Sequence, residues 1–220
     1  MAGQSSSMTR SPATATQSLA KAAIDRAVAL VGLCASLPLI AAAALAVVLE
    51  DRGSPFFVHQ RPGLGGRPFK LIKLRTMRTA TGPDGAPLPD GQRITRVGAF
   101  LRRTSIDELP QLWNVLRGEL SLVGPRPLLM RYLPRYSREQ ARRHEVKPGI
   151  TGWAQVNGRN TVDWPKRLRL DVWYVDHWSL GLDLRILALT AGRVLGGAGV
   201  SAPGEATMQE FMGNGGDDAR

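Results

Sequence analysis

Residues 27–49 read AVALVGLCASLPLIAAAALAVVL, a run of 23 without a charge, and no other stretch limits the fold as much. By length it is a transmembrane-helix candidate. Pro38 lies near its middle, where a proline removes a helix hydrogen bond and favours a kink. Each arm is then roughly 17 Å long at about 1.5 Å per residue, and neither alone crosses a hydrocarbon core of about 30 Å. Lys21 and Arg26 precede the run; Arg61, Arg67, Lys70, Lys73, Arg75 and Arg78 follow it, with no acid from 52 to 83. Positive charge marks the cytoplasmic side, and here it marks both flanks. The sequence therefore predicts a re-entrant segment that bends at Pro38 and leaves by the face it entered. Ser36 is a candidate partner for backbone freed at the bend. A spanning helix remains an alternative; for a cleaved signal peptide the run is too long.

The chain carries 29 Lys and Arg against 18 Asp and Glu, a net charge of +11. That balance calls for an anionic partner: nucleic acid, a phosphorylated substrate or an anionic membrane. No helix-turn-helix, RNP or zinc pattern supports nucleic acid. One cysteine, Cys34, excludes an internal disulfide, and three scattered histidines have no metal-ligand spacing.

Residues 1–18 read as a tail and 19–50 as the membrane segment; 51–200 form a catalytic domain and 201–220 a loose C-terminal tail. Residues 54–77 predict two short strands around a Pro/Gly turn, and 81–92 a loop. Helical spacing marks 94–103, 107–118, 163–178 and 182–195. Residues 137–145 read as a charged, exposed helix, and 147–160, rich in Gly and Asn, as loop and turn only. The fold class is mixed α/β, mostly helical: an N-terminal re-entrant membrane helix plus a small cytoplasmic domain.

Within RRTSIDELPQLWNVLRGELSLVGPRP (102–127) two acids, Asp107 and Glu108, sit among arginines. They have a structural explanation: Ser105 and Glu108 match a capping box, and Pro110 suits a first turn with Asp107 as the cap. They also have a chemical one. A carboxylate beside bound phosphate is repelled unless a divalent cation bridges the two or the carboxylate itself attacks phosphorus. Magnesium is the usual choice where phosphates supply ligands, and arginines clamp the remaining oxygens. Arg126, between two prolines in VGPRP, is the best placed by sequence.

The motifs KLRTM, SIDELPQLWNVLRGELSLVGPRPLL, RHEVKPGITGWAQVNGRN and LDVWYV resemble the bacterial sugar transferases, small monotopic polyprenyl-phosphate glycosyl-1-phosphate transferases. The resemblance runs from about residue 20 to 212. It is nearest to members that transfer N,N'-diacetylbacillosaminyl 1-phosphate. It implies transfer of a sugar 1-phosphate from a UDP-sugar, N-acetylated by that likeness, to undecaprenyl phosphate, with release of UMP and use of magnesium. It implies a bacterial inner-membrane location among lipids, with the catalytic domain on the cytoplasmic face. It makes Asp107 the residue that carries a covalent phospho-sugar and gives Glu108 metal or proton handling. Phosphate and substrate ligands are then Arg126, Arg102, Arg103, Lys73 and Arg75, with Gly149, Thr151, Gly152 and Gln155 from the loop 148–155. The chain departs from the family at the bend, where Ser36-Leu37-Pro38 replaces adjacent Ser-Pro.

Overall fold

A computed structural model describes residues 15–79, 81, 88–158, 163–195 and 210–213. Helix α1 (Ala15–Glu50) is 36 residues long and contains Pro38. It begins inside the stretch read as a tail, of which residues 1–14 lie outside the described residues. Helical backbone continues on both sides of Pro38, so the two expected arms form one element. The proline brings no N–H to the carbonyl of Cys34. Ser36 donates instead to the Leu33 carbonyl at 3.3 Å. Ala29, Ile40, Ala43 and Val47 are buried, while Val31, Leu37, Leu45 and Leu49 on other faces are exposed. The helix is thus a core element along one face and apolar surface elsewhere.

Both of its ends are tied to the rest of the chain. Lys21 Nζ lies 2.5 Å from Asp183, and the Ser121 hydroxyl donates to Asp25 at 2.7 Å. At the other end the Glu50 carboxylate accepts the backbone N–H groups of Arg96 and Val97, both at 2.8 Å.

Strands β1 (Phe56–Pro62) and β2 (Pro68–Leu74) form the expected antiparallel hairpin, in register from Phe56 opposite Leu74 to Pro62 opposite Pro68. Its turn needs Gly65 and Gly66 at φ of 62° and 74°, backbone that side chains rarely adopt. The expected loop ends in a short helix, α2 (Asp90–Arg93), and its residues 82–87 lie outside the described residues. Helix α3 (Arg96–Thr104) follows, with the Thr95 hydroxyl accepting the Gly98 N–H at 2.9 Å. A 3-10 turn at Ile106–Glu108 leads into α4 (Gln111–Leu116).

Three expectations need correction. The stretch 147–160 is not only loop and turn: β4 (Gly149–Thr151) pairs in parallel with β3 (Ser121–Val123), and α6 (Trp153–Val156) follows. Glycine is there for packing. A Cβ on Gly149 would stand 2.1 Å from the Gly124 nitrogen, and one on Gly152 would stand 2.1 Å from the Gly124 oxygen. The charged segment 137–145 is not uniformly exposed either. It divides into α5 (Arg138–Ala141), closed by a Ser137–Gln140 capping box, and a 3-10 turn in which Arg143 and His144 are buried. The third is the C-terminal stretch. Phe211 is 3% exposed among Leu128, Tyr132 and Leu168, and Glu210 pairs with Arg131 and Arg135. Helices α7 (Trp164–His177), capped by Asp163, and α8 (Leu180–Leu195) match their expected spans.

Most of the core joins α1, the hairpin, α4, β3, α7 and α8 around Ala29, Leu71, Val115, Val123, Tyr174 and Ile186. A second cluster packs Ile40, Ala43 and Val47 of α1 against Leu74 and Leu101.

Candidate functional site

The acid pair is presented by one unusual residue. Ser105, at φ 58°, is the one described non-glycine residue with positive φ, a conformation costing an L-residue about 1–2 kcal/mol. It ends α3 as a left-handed cap, its N–H directed to the Arg102 carbonyl at 3.3 Å, and turns the chain inward. Neither Ser105 nor Asp107 caps α4, whose N-cap is Pro110 without a side-chain bond. The capping explanation of the acids therefore falls.

Asp107 is 8% exposed, and among the described residues no hydrogen bond ends on its carboxylate. Burial, and then the charge of Glu108, push its pKa up to about 6 against the pull of Lys73, Arg126 and Arg102. Glu108 behaves oppositely. Burial opposes its ionisation, but Arg126 and Lys73 outweigh that and hold its pKa well below the usual carboxylate range. Lys73 Nζ at 2.7 Å and Arg126 Nη2 at 2.5 Å both meet the same oxygen, Oε1. One acid is thus locked as an anion; the other is a poised, unbonded carboxylate. Environments that push two neighbouring acids apart in this way assign them different chemical roles.

Arg126 is held through its backbone as well. Arg143 Nη2 donates to the Arg126 carbonyl at 2.7 Å and to Asp171 at 2.7 Å, and the Arg143 and Asp171 side chains are each 2% exposed. Both residues lie in motifs that carried the resemblance, yet nothing local in the sequence gives them this task. Positive charge crowds the same region. Burial, with Arg126 and Arg131, lowers the pKa of Arg61. Burial takes Arg167 down to about 10, with Asp171 opposing and Arg126 and Arg143 adding to the effect. Such a field favours a polyanion.

The other sequence candidates separate. Arg102 stays near the acids while donating to Thr76 Oγ1 at 2.9 Å. Arg103 is exposed, with its guanidinium 5.8 Å from the Phe100 ring centre. Arg75 is occupied by the carboxylate and carbonyl of Asp51, away from the Glu108 cluster. Thr151 pairs with Thr190 at 2.8 Å, and Gly149 and Gly152 serve the close approach to Gly124. Gln155 is different: both polar atoms of its amide are buried and, among the described residues, without a partner.

Among the described residues no three acids, histidines or cysteines gather as a metal cage. Among the described residues the Asp107 carboxylate and Glu108 Oε2 nevertheless remain unbonded, two hard oxygen donors on adjacent residues. That set suits magnesium, which binds through one or two carboxylates and takes its other ligands from phosphate and water.

The chain also matches known proteins along most of its length. The family model described as bacterial sugar transferase matches residues 16–197. The chain is 58% identical over 172 residues to the uncharacterized sugar transferase EpsL of Bacillus subtilis, covering 78% of this chain and 85% of that protein. It is 46% identical over 190 residues to the UDP-glucose:undecaprenyl-phosphate glucose-1-phosphate transferase of Xanthomonas campestris pv. campestris. To the protein of the same description in Escherichia coli it is 40% identical over 189 residues. Each of these two alignments covers 81% of this chain, but only 39% and 41% of the longer relatives. With the match spanning most of its length, the chain belongs to the bacterial sugar transferase family.

Proposed function

We propose that the protein transfers a sugar 1-phosphate from a UDP-sugar to undecaprenyl phosphate and releases UMP. The observation that carries this reading is the division of labour in the acid pair, with Asp107 buried and unbonded beside a Glu108 fixed by Lys73 and Arg126. Asp107 Oδ attacks the sugar-proximal phosphorus, and the bond from that phosphorus to the oxygen of UMP breaks, leaving UMP as an anion. An oxygen of the lipid phosphate then attacks the aspartyl phosphate, and the Asp107 carboxylate is regenerated. Two polyanions thus use one site in turn.

Arg126, with Arg61 and Arg167 near it, neutralises phosphate charge, while Arg143 and Asp171 fix its backbone. Asp107 and Glu108 Oε2 would hold magnesium, which when bound neutralises diphosphate charge and polarises the phosphorus under attack. The buried amide of Gln155 offers a donor and an acceptor to the nucleotide sugar.

The same reading makes α1 re-entrant or in-plane rather than spanning. Asp25 and Glu50 bracket the apolar run, and both bond to one domain; a domain in water holds both ends on one side of a bilayer. The basic flanks make that side cytoplasmic, at the inner membrane.

Sequence resemblance favours an N-acetylated hexose, whereas glucose and galactose stand in the names of relatives. The test measures UMP release by detergent-purified protein given undecaprenyl phosphate, magnesium and a panel of UDP-glucose, UDP-galactose and N-acetylated UDP-sugars. Turnover with one donor, lost in Asp107→Asn and with chelator, is the expected result. Turnover surviving Asp107→Asn refutes the covalent role.

A further inference from the structure

An apolar groove of about 690 Å³ lies between α1 and α3, floored by Ala42, Ala43 and Ala46 and walled by Phe100 and Leu101. The alanines create it: they come from the run of four at 41–44 and from Ala46, in a helix that also exposes the larger Val31, Leu37, Leu45 and Leu49. At one end stand Glu50 and Arg96, and the Glu50 carboxylate is committed to the backbone of α3. That end is closed. Leu39 and Ile106 line the other end, roughly 16 Å away along α1 at about 1.5 Å per residue. The residue after Ile106 is Asp107. Ala42 and Phe100 are exposed along the side, opening the groove to the surroundings met by Leu37, Leu45 and Leu49.

We infer that this groove seats the isoprenoid chain of the lipid acceptor, directing its phosphate to Asp107. The inference rests on the transferase reading above and adds to it where the apolar part of that substrate lies. Three features support a prenyl chain over a bystander phospholipid. The groove is lined by apolar side chains from its middle to the Asp107 end. Its Leu39 end is lined by Ile106, the residue just before the nucleophile, so a chain seated there carries its headgroup towards the reacting carboxylate. Cations flank this path, Arg102 near Asp107 and Arg103 over the Phe100 ring of the groove wall. A chain entering sideways from the bilayer delivers a phosphate to the aspartyl phosphate without leaving lipid.

The test fills the groove. Ala42→Trp places a bulky ring at an exposed position of its floor, and Leu45→Trp places the same ring on α1 outside it. Two quantities are read: exchange of labelled UMP into UDP-sugar, which needs no acceptor, and KM for undecaprenyl phosphate. Ala42→Trp should raise that KM more than tenfold and leave exchange within twofold of wild type, while Leu45→Trp changes neither. An unchanged KM in Ala42→Trp, or an equal rise in Leu45→Trp, overturns the inference. Absence of exchange in the wild type would instead overturn the two-step reading, with KM still deciding the groove. As a measurement independent of variant folding, a diazirine-bearing prenyl phosphate is irradiated with wild-type protein in nanodiscs. Labelling should fall on 39–46 and 96–106 and be displaced by undecaprenyl phosphate but not by phosphatidylglycerol. Labelling elsewhere, or equal displacement by the phospholipid, refutes the assignment.

Discussion

Replacing Asp107 by asparagine should destroy turnover and at the same time stabilise the folded protein. Burial and the neighbouring Glu108 raise the carboxyl from an ordinary 3.8 to about 6. An acid that holds its proton more tightly when folded costs stability wherever it is ionised in the native state. Above pH 6 the whole difference applies, about 3 kcal/mol at about 1.36 kcal/mol per unit. The cost fades as pH falls from 6 towards 3.8, because the folded chain then takes up a proton that the unfolded chain still lacks. At pH 5 roughly half remains. Asparagine keeps the shape and carries no charge, so it escapes the cost. Unfolding midpoints of both proteins, measured in detergent with chelator at pH 7.5 and pH 5, test this. For a chain of this size the neutral-pH gain corresponds to roughly 6–12 °C, shrinking by about half at pH 5. Equal midpoints at neutral pH, or a gain identical at both pH values, would refute the reasoning, since neither is compatible with a desolvated native carboxylate.

Arg126→Met leaves buried Glu108 with Lys73 as its one ion-pair partner among the described residues. Stability should fall by about 3 kcal/mol and turnover by at least roughly a hundredfold. Adding Glu108→Gln should restore the denaturation midpoint but not the turnover. Arg143→Leu strips Asp171 of its buried partner, at a cost of about 3–5 kcal/mol by denaturant titration; the double replacement of both residues by leucine should recover most of that loss. Ser105→Gly removes left-handed strain and should raise stability by about 1 kcal/mol, with kcat within a fewfold of wild type. Gly152→Ala sets a methyl against the Gly124 carbonyl, so purified protein should show a lowered thermal midpoint and a raised KM for the UDP-sugar.

Elements announced by nearby residues were legible from the sequence. The hairpin follows from Pro62, Gly65 and Gly66, and α7 from Asp163 with Pro165 at its start. Elements whose partners lie far away were not. Strand β4 exists because Gly149 and Thr151 pair with Ser121 and Val123, and three residues show no alternation of their own. The burial of Phe211 depends on Tyr132 and Leu168, which nothing near residue 211 reveals. At the site, the acid pair and Arg126 were readable as charges in an anion-binding motif, but their division of labour was not. It depends on Lys73 reaching Glu108 across 35 positions and on burial that no motif encodes. Lys73 and Arg75 look alike in KLRTM, yet one meets Glu108 and the other Asp51. The choice is made where the chain leaves β2.

The anchoring of α1 also sets an order of events during synthesis. Lys21 finds Asp183 only after a further 162 residues, and Asp25 waits for Ser121. Until then the helix emerging from the ribosome carries a lysine and an aspartate at its head, with an alanine face that nothing yet covers. Early lodging of α1 in the bilayer would shelter its leucines while its charged head waits in the interfacial water. Helix α8, almost the last described element made, then closes the polar lock through Asp183, which also takes the Tyr174 hydroxyl and the Trp178 ring nitrogen. Cutting away α1 to obtain a soluble enzyme would thus remove not an appendage but a wall of the core, taking Lys21 from Asp183 and Asp25 from Ser121.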